Sequence, residues 1–255
     1  MQDYKKYILS DQTKINDNGV LLHRIISIKD FYNVKAGEYG GWVESEANLS
    51  QYGICWIRDE AEVFGDAEIS EEAIISGAAK VYGNAKIYDN AEIYGDAKIY
   101  DNAKVGGFAK LGGYTEVFEN AKVGVTTHSL GNPKIYGYAQ VFGSVEISGN
   151  PEIYGKTHIR DTAFITGDAK IYGNVMIAGD AYISGDAEIS KLDDYIVFKN
   201  WWSSGRYFTW TRSNNMWRAG CFYGTGKQLI EKAYSDSKKS GQEYEKIVKY
   251  VEDIL

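Results

Sequence analysis

The chain has 255 residues, of which 35 are acidic and 28 are basic, and its formal charge of −7 argues against a generic nucleic-acid-binding protein. Two cysteines are too few for a disulfide framework. No apolar run approaches the roughly 18 residues of a membrane-spanning helix, and no apolar segment follows the first residues as it would in a secretory signal. We therefore expect a cytoplasmic protein without a membrane partner.

Residues 1–50 have a pattern of their own. Two apolar segments, at residues 4–9 and 20–28, flank a polar Asn-Asp-Asn-Gly stretch at residues 16–19 and predict two strands joined by a turn. Residues 37–43 then lead into a repetitive region. The open end of a repetitive β-structure exposes unpaired backbone groups and apolar core, so we expect this leader to form an N-terminal β cap.

The repetitive region has a period of six. From Ile57 onward to Ile189, 22 of the 23 positions spaced by six are aliphatic, and the one exception, Ser129, does not shift the phase. Alanine mostly stands four residues after each aliphatic, and Gly, Asp and Asn fill the places between. An aliphatic directed into a core, Ala at a tight inner corner and Gly or Asn at a turn together predict a hexapeptide parallel β-helix.

A second period, of 18 residues, indicates that three sides close each coil. Of the eight residues that directly follow a core aliphatic at this spacing, seven are aromatic, whereas the matching columns on the other sides hold one and two. Such a column would leave a long apolar strip on a monomer. We therefore expect a homo-oligomer whose interface contains Tyr82, Tyr100, Phe118, Tyr136, Tyr154 and Tyr172.

Two histidines, His128 and His158, fall on outward positions of the repeat. The stretch around Ser129 contains no insertion, because Val123 and Ile135 are two repeats apart. An outward histidine in a cleft between subunits can act as a general base, but the threonines before His128 fit an ordinary strand surface equally well. No histidine–carboxylate pair is evident, so we expect no catalytic residue, no acyl transfer and no metal or cofactor.

After residue 189 the composition changes. Residues 195–198, 207–211 and 216–222 predict three short strands, followed by a helix that begins with a Thr225–Gln228 capping box. Ser240 and Gly241 are predicted to end this helix, and a second helix follows. The inner face of the first helix is predicted to be Leu229, Ile230, Ala233 and Tyr234, and that of the second Tyr244, Ile247, Val248, Val251 and Ile254.

This C-terminal module concentrates the least repetitive residue types. Between residues 196 and 230 there are five cations and no acid, and a glycine-rich turn opens the helix, although its spacing is not that of a P-loop. Free N–H groups at a helix start attract anions. A small core that uses Trp for bulk and Gly for turns explains the same residues. The candidate ligand-binding residues are Trp202, Arg206, Trp210, Arg212, Arg218, Gly224, Thr225, Gly226 and Lys227.

Several segments resemble a family of hexapeptide-repeat proteins of bacteria and their prophages. They are Leu-Leu-His-Arg-Ile-Ile at residues 21–26, Gly-Gly-Trp-Val-Glu-Ser at residues 40–45 and Ala-Gly-Cys-Phe-Tyr-Gly-Thr at residues 219–225. Members of that family are described as polymer-forming proteins or acyltransferases. The resemblance implies a solenoid fold and a phage or prophage setting, and it implies no single activity.

The sequence therefore predicts an all-β solenoid, a left-handed parallel β-helix with a β cap at residues 1–50, repeats at 51–191 and a small α+β module at 192–255. We expect a non-enzymatic, phage-encoded protein in the host cytoplasm. Its C-terminal module would hold a small anionic, nucleotide-like ligand and sequester a host defence signal. The alternatives are a hexapeptide acyltransferase, a structural or polymer-forming rod and an acidic DNA mimic.

Overall fold

The computed structural model describes residues 5–254, so the predicted strand position of Tyr4 lies outside the described residues. The described chain is a parallel β-solenoid followed by a small α+β region, which confirms the predicted fold class. Within residues 5–254, no helix is both long and apolar enough to cross a membrane. The cytoplasmic location remains a prediction.

The leader forms three antiparallel strands, β1 (Tyr7–Ile15), β2 (Leu21–Ser27) and β3 (Tyr39–Val43). Its last strand joins the solenoid because Val43 pairs in parallel with Val63 of the first coils. A short 3₁₀ helix at Glu46–Asn48 then turns the chain into the repeat. The leader therefore extends one sheet of the solenoid and closes its N-terminal end.

The repeat consists of 23 short strands, β4 to β26. In chain order they are Trp56–Ile57, Glu62–Val63, Glu68–Ile69, Ile74–Ile75, Lys80–Val81, Lys86–Ile87, Glu92–Ile93, Lys98–Ile99, Lys104–Val105, Lys110–Leu111, Glu116–Val117, Lys122–Val123, His128–Gly131, Lys134–Ile135, Gln140–Val141, Glu146–Gly149, Glu152–Ile153, His158–Ile159, Phe164–Ile165, Lys170–Ile171, Met176–Ile177, Tyr182–Ile183 and Glu188–Ile189.

Every third strand belongs to the same sheet, so each residue lies beside the residue 18 positions later. We name the three sides by their outward residues. The aromatic side contains β5, β8 and every third strand to β26. The lysine side runs in the same way from β6 to β24, and the histidine side from β4 to β25.

The core contains the aliphatic column and the corner alanines, nearly all with no exposed surface. The corners adopt positive φ, mostly at glycine and otherwise at an acidic residue such as Asp89 (φ 55). A short carboxylate makes this conformation useful, since the Asp89 side chain accepts a hydrogen bond from Gly107 N of the next coil at 2.8 Å. Turn chemistry and stacking therefore agree at each corner.

The backbone hydrogen bonds give the solenoid a direction. Each N–H donates to a carbonyl of the following coil, as from Trp56 to Ala73, so the first coil is left with free carbonyls. Lys6, which is fully buried, donates from Nζ to Cys55 O at 2.8 Å and to the carbonyls of Tyr52 and Gly53 at 3.3 Å. Burial lowers the pKa of this ammonium, and the three carbonyls offset that desolvation.

The opposite end of the solenoid is left with free N–H groups. They meet acceptors: Tyr182 N donates to Thr209 Oγ1 at 2.9 Å, and Glu188 N donates to Ser213 Oγ at 2.7 Å. Asp194, in a 3₁₀ helix at Leu192–Asp194, accepts from Ser190 N at 2.8 Å. The C-terminal region therefore caps the last coil with oxygen atoms.

The C-terminal sheet has four antiparallel strands where we expected three: β27 (Tyr195–Lys199), β28 (Tyr207–Thr211), β29 (Met216–Ala219) and β30 (Phe222–Gly224). Gly220, at φ 59, turns the chain between the last two. Helices α1 (Gly226–Asp236) and α2 (Lys238–Asp253) pack on this sheet.

The predicted helix break at Ser240 and Gly241 is wrong, because Ser237 separates the helices. Ser237 is extended and its Oγ accepts from Ser240 N at 3.1 Å, which starts α2 three residues earlier. Gly241 lies inside α2, where a Cβ would meet the Tyr234 ring at 2.3 Å. Tyr234 and Ile254 are 42% and 46% exposed, so neither lies on an inner helix face as expected.

The aromatic column is a continuous ring stack. From Phe64 to Tyr172, successive ring centroids are 4.8–5.2 Å apart and the planes differ by at most 9°. Each ring thereby covers its neighbours' faces and leaves an edge exposed. Burial and the nearby Glu152 raise the pKa of Tyr136 to about 12. The leader covers the Phe64 end of the stack, and the homo-oligomer interface stays a prediction.

We predict that Lys6→Met destabilises the protein by about 1–3 kcal/mol, because three buried carbonyls lose their donor. Urea unfolding measures the change. Lys35→Met is the matched control, since Lys35 is 74% exposed and pairs only with Asp30 at the surface. Equal stability of the Lys6 variant and the control would show that the ammonium does not cap the solenoid.

Candidate active site

The two candidate tryptophans of the C-terminal module are core residues. Trp210 is fully buried and Trp202 is 8% exposed, within a cluster that includes Phe208 and Trp217. The indole N–H of Trp210 donates to Asn215 Oδ1 at 2.9 Å. Neither ring presents a free face on which a nucleotide base could stack.

The candidate arginines have separate partners. Arg212 donates to Asp193 O at 2.9 Å. Arg218 donates to Tyr182 Oη at 3.0 Å, and its guanidinium lies 4.4 Å from the centre of that ring. Arg206 instead lines a small cavity of about 150 Å³ with Cys221. Two of the three arginines therefore hold the module together or attach it to the solenoid.

The glycine-rich helix start is already occupied. Gln228 N donates to Thr225 Oγ1 at 3.4 Å and Thr225 N donates to Gln228 Oε1 at 2.9 Å, which forms the predicted capping box. A Cβ on Gly226 would lie 2.7 Å from Val248, and one on Gly224 would lie 2.8 Å from Phe222. These glycines allow close packing. Lys227 is 87% exposed and reaches only Glu231, at 4.0 Å.

A groove on the histidine side gathers more chemistry. It has a volume of about 490 Å³, within the range typical of small-molecule sites. One outward column runs through it in strand register, and its members come from successive coils. These members are Lys110, His128, Glu146, Phe164 and Tyr182.

His128 lies between two charged neighbours in this column. On one side is Lys110, whose ammonium binds Glu92 at 2.9 Å, and on the other is Glu146. Neighbouring strands are about 4.8 Å apart, so the Glu146 carboxylate can reach the imidazole. Glu146 forms no ion pair within residues 5–254. The arrangement suits a general base supported by a carboxylate.

The walls of the groove are partly apolar. Tyr94 leans over the next coil, where a Cβ on Gly112 would meet its ring at 2.1 Å. At the other end Phe164 stacks on Tyr182 with centroids 5.4 Å apart. Leu130, which is 57% exposed, lies between these ends. The groove therefore combines an ionisable floor with apolar walls.

The strand of His128 is built differently from the others. The one polar core position, Ser129, has its Oγ 3.0 Å from Thr115 Oγ1, and Thr115 also donates to Gly112 O at 2.7 Å. Val125, three residues before His128, has φ 59. A β-branched residue in this region is strained, and such strain tends to collect at functional sites.

The spacing of 18 could have revealed Glu146, because it follows His128 by one full coil. We expected no histidine–carboxylate pair since the two residues are distant in sequence and their strands carry no motif. The expectation that His128 and His158 point outward is confirmed, as both are exposed.

No protein-family model matches this sequence. A 74-residue stretch is 43% identical to a protein of Escherichia coli (strain K12) named uncharacterized acetyltransferase YdcK. The match covers 26% of this chain and 23% of that relative. Together with the solenoid, it fits a hexapeptide-repeat family, whereas the phage setting and the shared C-terminal ending stay predictions.

This similarity corrects our expectation of function. A non-enzymatic phage protein that sequesters a nucleotide signal is contradicted by a relative named as an acetyltransferase, which favours the alternative of acyl transfer. The buried tryptophans and engaged arginines agree with the correction.

We predict that Thr115 and Ser129 are energetically coupled. Thr115→Ala leaves the Ser129 hydroxyl without a partner, and Ser129→Ile crowds Thr115, so each single change should cost about 1–3 kcal/mol. The double variant restores the pair one coil earlier, Ala97 with Leu111, and should be as stable as the parent. Urea unfolding of all four proteins measures the coupling, and additive effects would contradict it.

Proposed function

We propose that the protein is an acyltransferase that uses the groove on the histidine side. The observation that carries the proposal is the His128–Glu146 neighbour pair in a groove of suitable size. The 43% identity over 74 residues to the E. coli protein supports the reaction class. The groove supplies the groups that transfer from a thioester to a hydroxyl or an amine needs.

His128 would act as the general base. It accepts the proton of the acceptor hydroxyl or amine while that oxygen or nitrogen attacks the thioester carbonyl carbon. When the C–S bond breaks, the proton passes to the leaving sulfur. Positioned proton transfer of this kind contributes roughly 10²–10⁴-fold to a rate.

The neighbours of His128 would divide the remaining electrostatic work. Glu146 stabilises the imidazolium that forms when His128 takes the proton, as the third member of a nucleophile–base–carboxylate arrangement does. Lys110, in the preceding coil, favours the negative oxygen that develops on the thioester carbonyl. Leu130 and Tyr94 provide apolar surface for the acyl group.

The experiment measures free thiol released from acetyl-CoA in the presence of sugar, amine and amino-acid acceptors. We expect acceptor-dependent turnover by the parent and a loss of about a hundredfold or more in His128→Asn. Glu146→Gln should lower kcat less. His158→Asn is the control, because this exposed histidine occupies the lysine side.

Absence of acceptor-dependent turnover by the parent would contradict the proposed reaction. Equal turnover by His128→Asn and the parent would contradict the site and leave the reaction standing.

A further inference from the structure

The lysine side carries a row of like charges that its fold does not need. Lys86, Lys104 and Lys122 are neighbours in register on three successive strands. Lys86 binds Glu68 at 3.0 Å, whereas Lys104 and Lys122 are exposed and form no ion pair within residues 5–254. Like charges directly opposite one another in a sheet are unfavourable. Elsewhere the repeat relieves this, as Lys110 does with Glu92.

One flank of the lysine row is a ladder of amides. Asn84 donates from Nδ2 to Asn102 Oδ1 at 3.2 Å, and Asn102 donates to Asn120 Oδ1 at 3.4 Å. An amide nitrogen carries two N–H groups, so each asparagine keeps a donor that the ladder does not use. Tyr138, which is 61% exposed, ends this flank.

The other flank is apolar. Tyr88 leans forward onto Gly106, where a Cβ would meet the ring at 2.3 Å, and Phe142 leans back onto Gly124, where a Cβ would meet it at 2.8 Å. Both glycines are buried by these rings. Two aromatic rings thus approach each other over two side-chain-free positions, beside Lys104 and Lys122.

The nearby corner acids are turned away from the row. Asp89 accepts from Gly107 N at 2.8 Å and Asp101 accepts from Glu119 N at 3.2 Å. The lysines, the amides and one exposed tyrosine line a cavity of about 440 Å³ along the side. The surface therefore offers cations, hydrogen-bond donors and ring surface in three parallel rows.

We propose that the lysine side binds an extended acidic glycan with one carboxylate on each sugar. The lysines repeat at the strand spacing of about 4.8 Å, and a pyranose in an extended chain has a similar length. Carboxylates would bind the lysines through charge-assisted hydrogen bonds. Sugar hydroxyls would bind the asparagines, and the apolar C–H faces would pack on Tyr88 and Phe142.

Nucleic acid fits this surface less well. Duplex DNA carries a charge every 1.7 Å or so along its axis and requires a broader basic surface, while the whole chain has a charge of −7. Single strands stack their bases on exposed aromatic rings, whereas Tyr88 and Phe142 are each seated on a glycine.

The test titrates the full chain calorimetrically with a galacturonic acid hexamer, a neutral hexasaccharide and a single-stranded DNA oligonucleotide. We expect the parent to bind the acidic hexamer and not the neutral one. Lys104→Gln/Lys122→Gln should weaken binding at least about tenfold, because it removes two charge-assisted contacts. Both side chains are exposed, so thermal unfolding should be unchanged.

Lys134→Gln/Lys170→Gln is the matched control, since it removes two exposed lysines from the aromatic side. This variant should bind the acidic hexamer as the parent does. The proposal is overturned if the parent fails to bind the acidic hexamer or binds the neutral one equally well. It is also overturned if the control loses as much affinity, or if DNA binds more tightly with the same dependence on Lys104 and Lys122.

Discussion

The structure depends on the hydrogen bonds that stack each coil on the next at a spacing of 18 residues. Because register is kept from coil to coil, every outward position becomes a column of side chains about 4.8 Å apart. One column is a ring stack, one is a row of lysines and one contains His128 beside Glu146. The surface chemistry is therefore written in steps of 18, and residues distant in sequence become neighbours.

The same hydrogen bonds determine the chemistry of the two ends. Carbonyls are left at the first coil and N–H groups at the last, so the caps must differ. A buried ammonium, Lys6, and the amide of Asn48 meet the carbonyls, whereas Thr209, Ser213 and Asp194 meet the N–H groups. Capping explains most of the polar side chains that the leader and the C-terminal module direct at the solenoid.

The sequence was sufficient for the fold because its repeat states the core, the corners and the coil length in residue types alone. It was insufficient for the module, where Trp202 and Trp210 suit a ligand site and a core equally well, and only packing distinguishes the two. It also concealed Glu146 and the partners of Arg218, since neither is close in sequence to what it contacts. Ser129 was visible as an exception, but its compensation by Thr115 requires the three-dimensional corner.

The account places acyl transfer on the histidine side, between Tyr94 and the Phe164–Tyr182 stack. The most direct measurement is an experimental structure of the protein with acetyl-CoA bound. The account predicts the acetyl thioester in the groove, with its carbonyl carbon beside His128 and Glu146. A thioester held in the C-terminal module or on the lysine side, with the His128 groove empty, would contradict it.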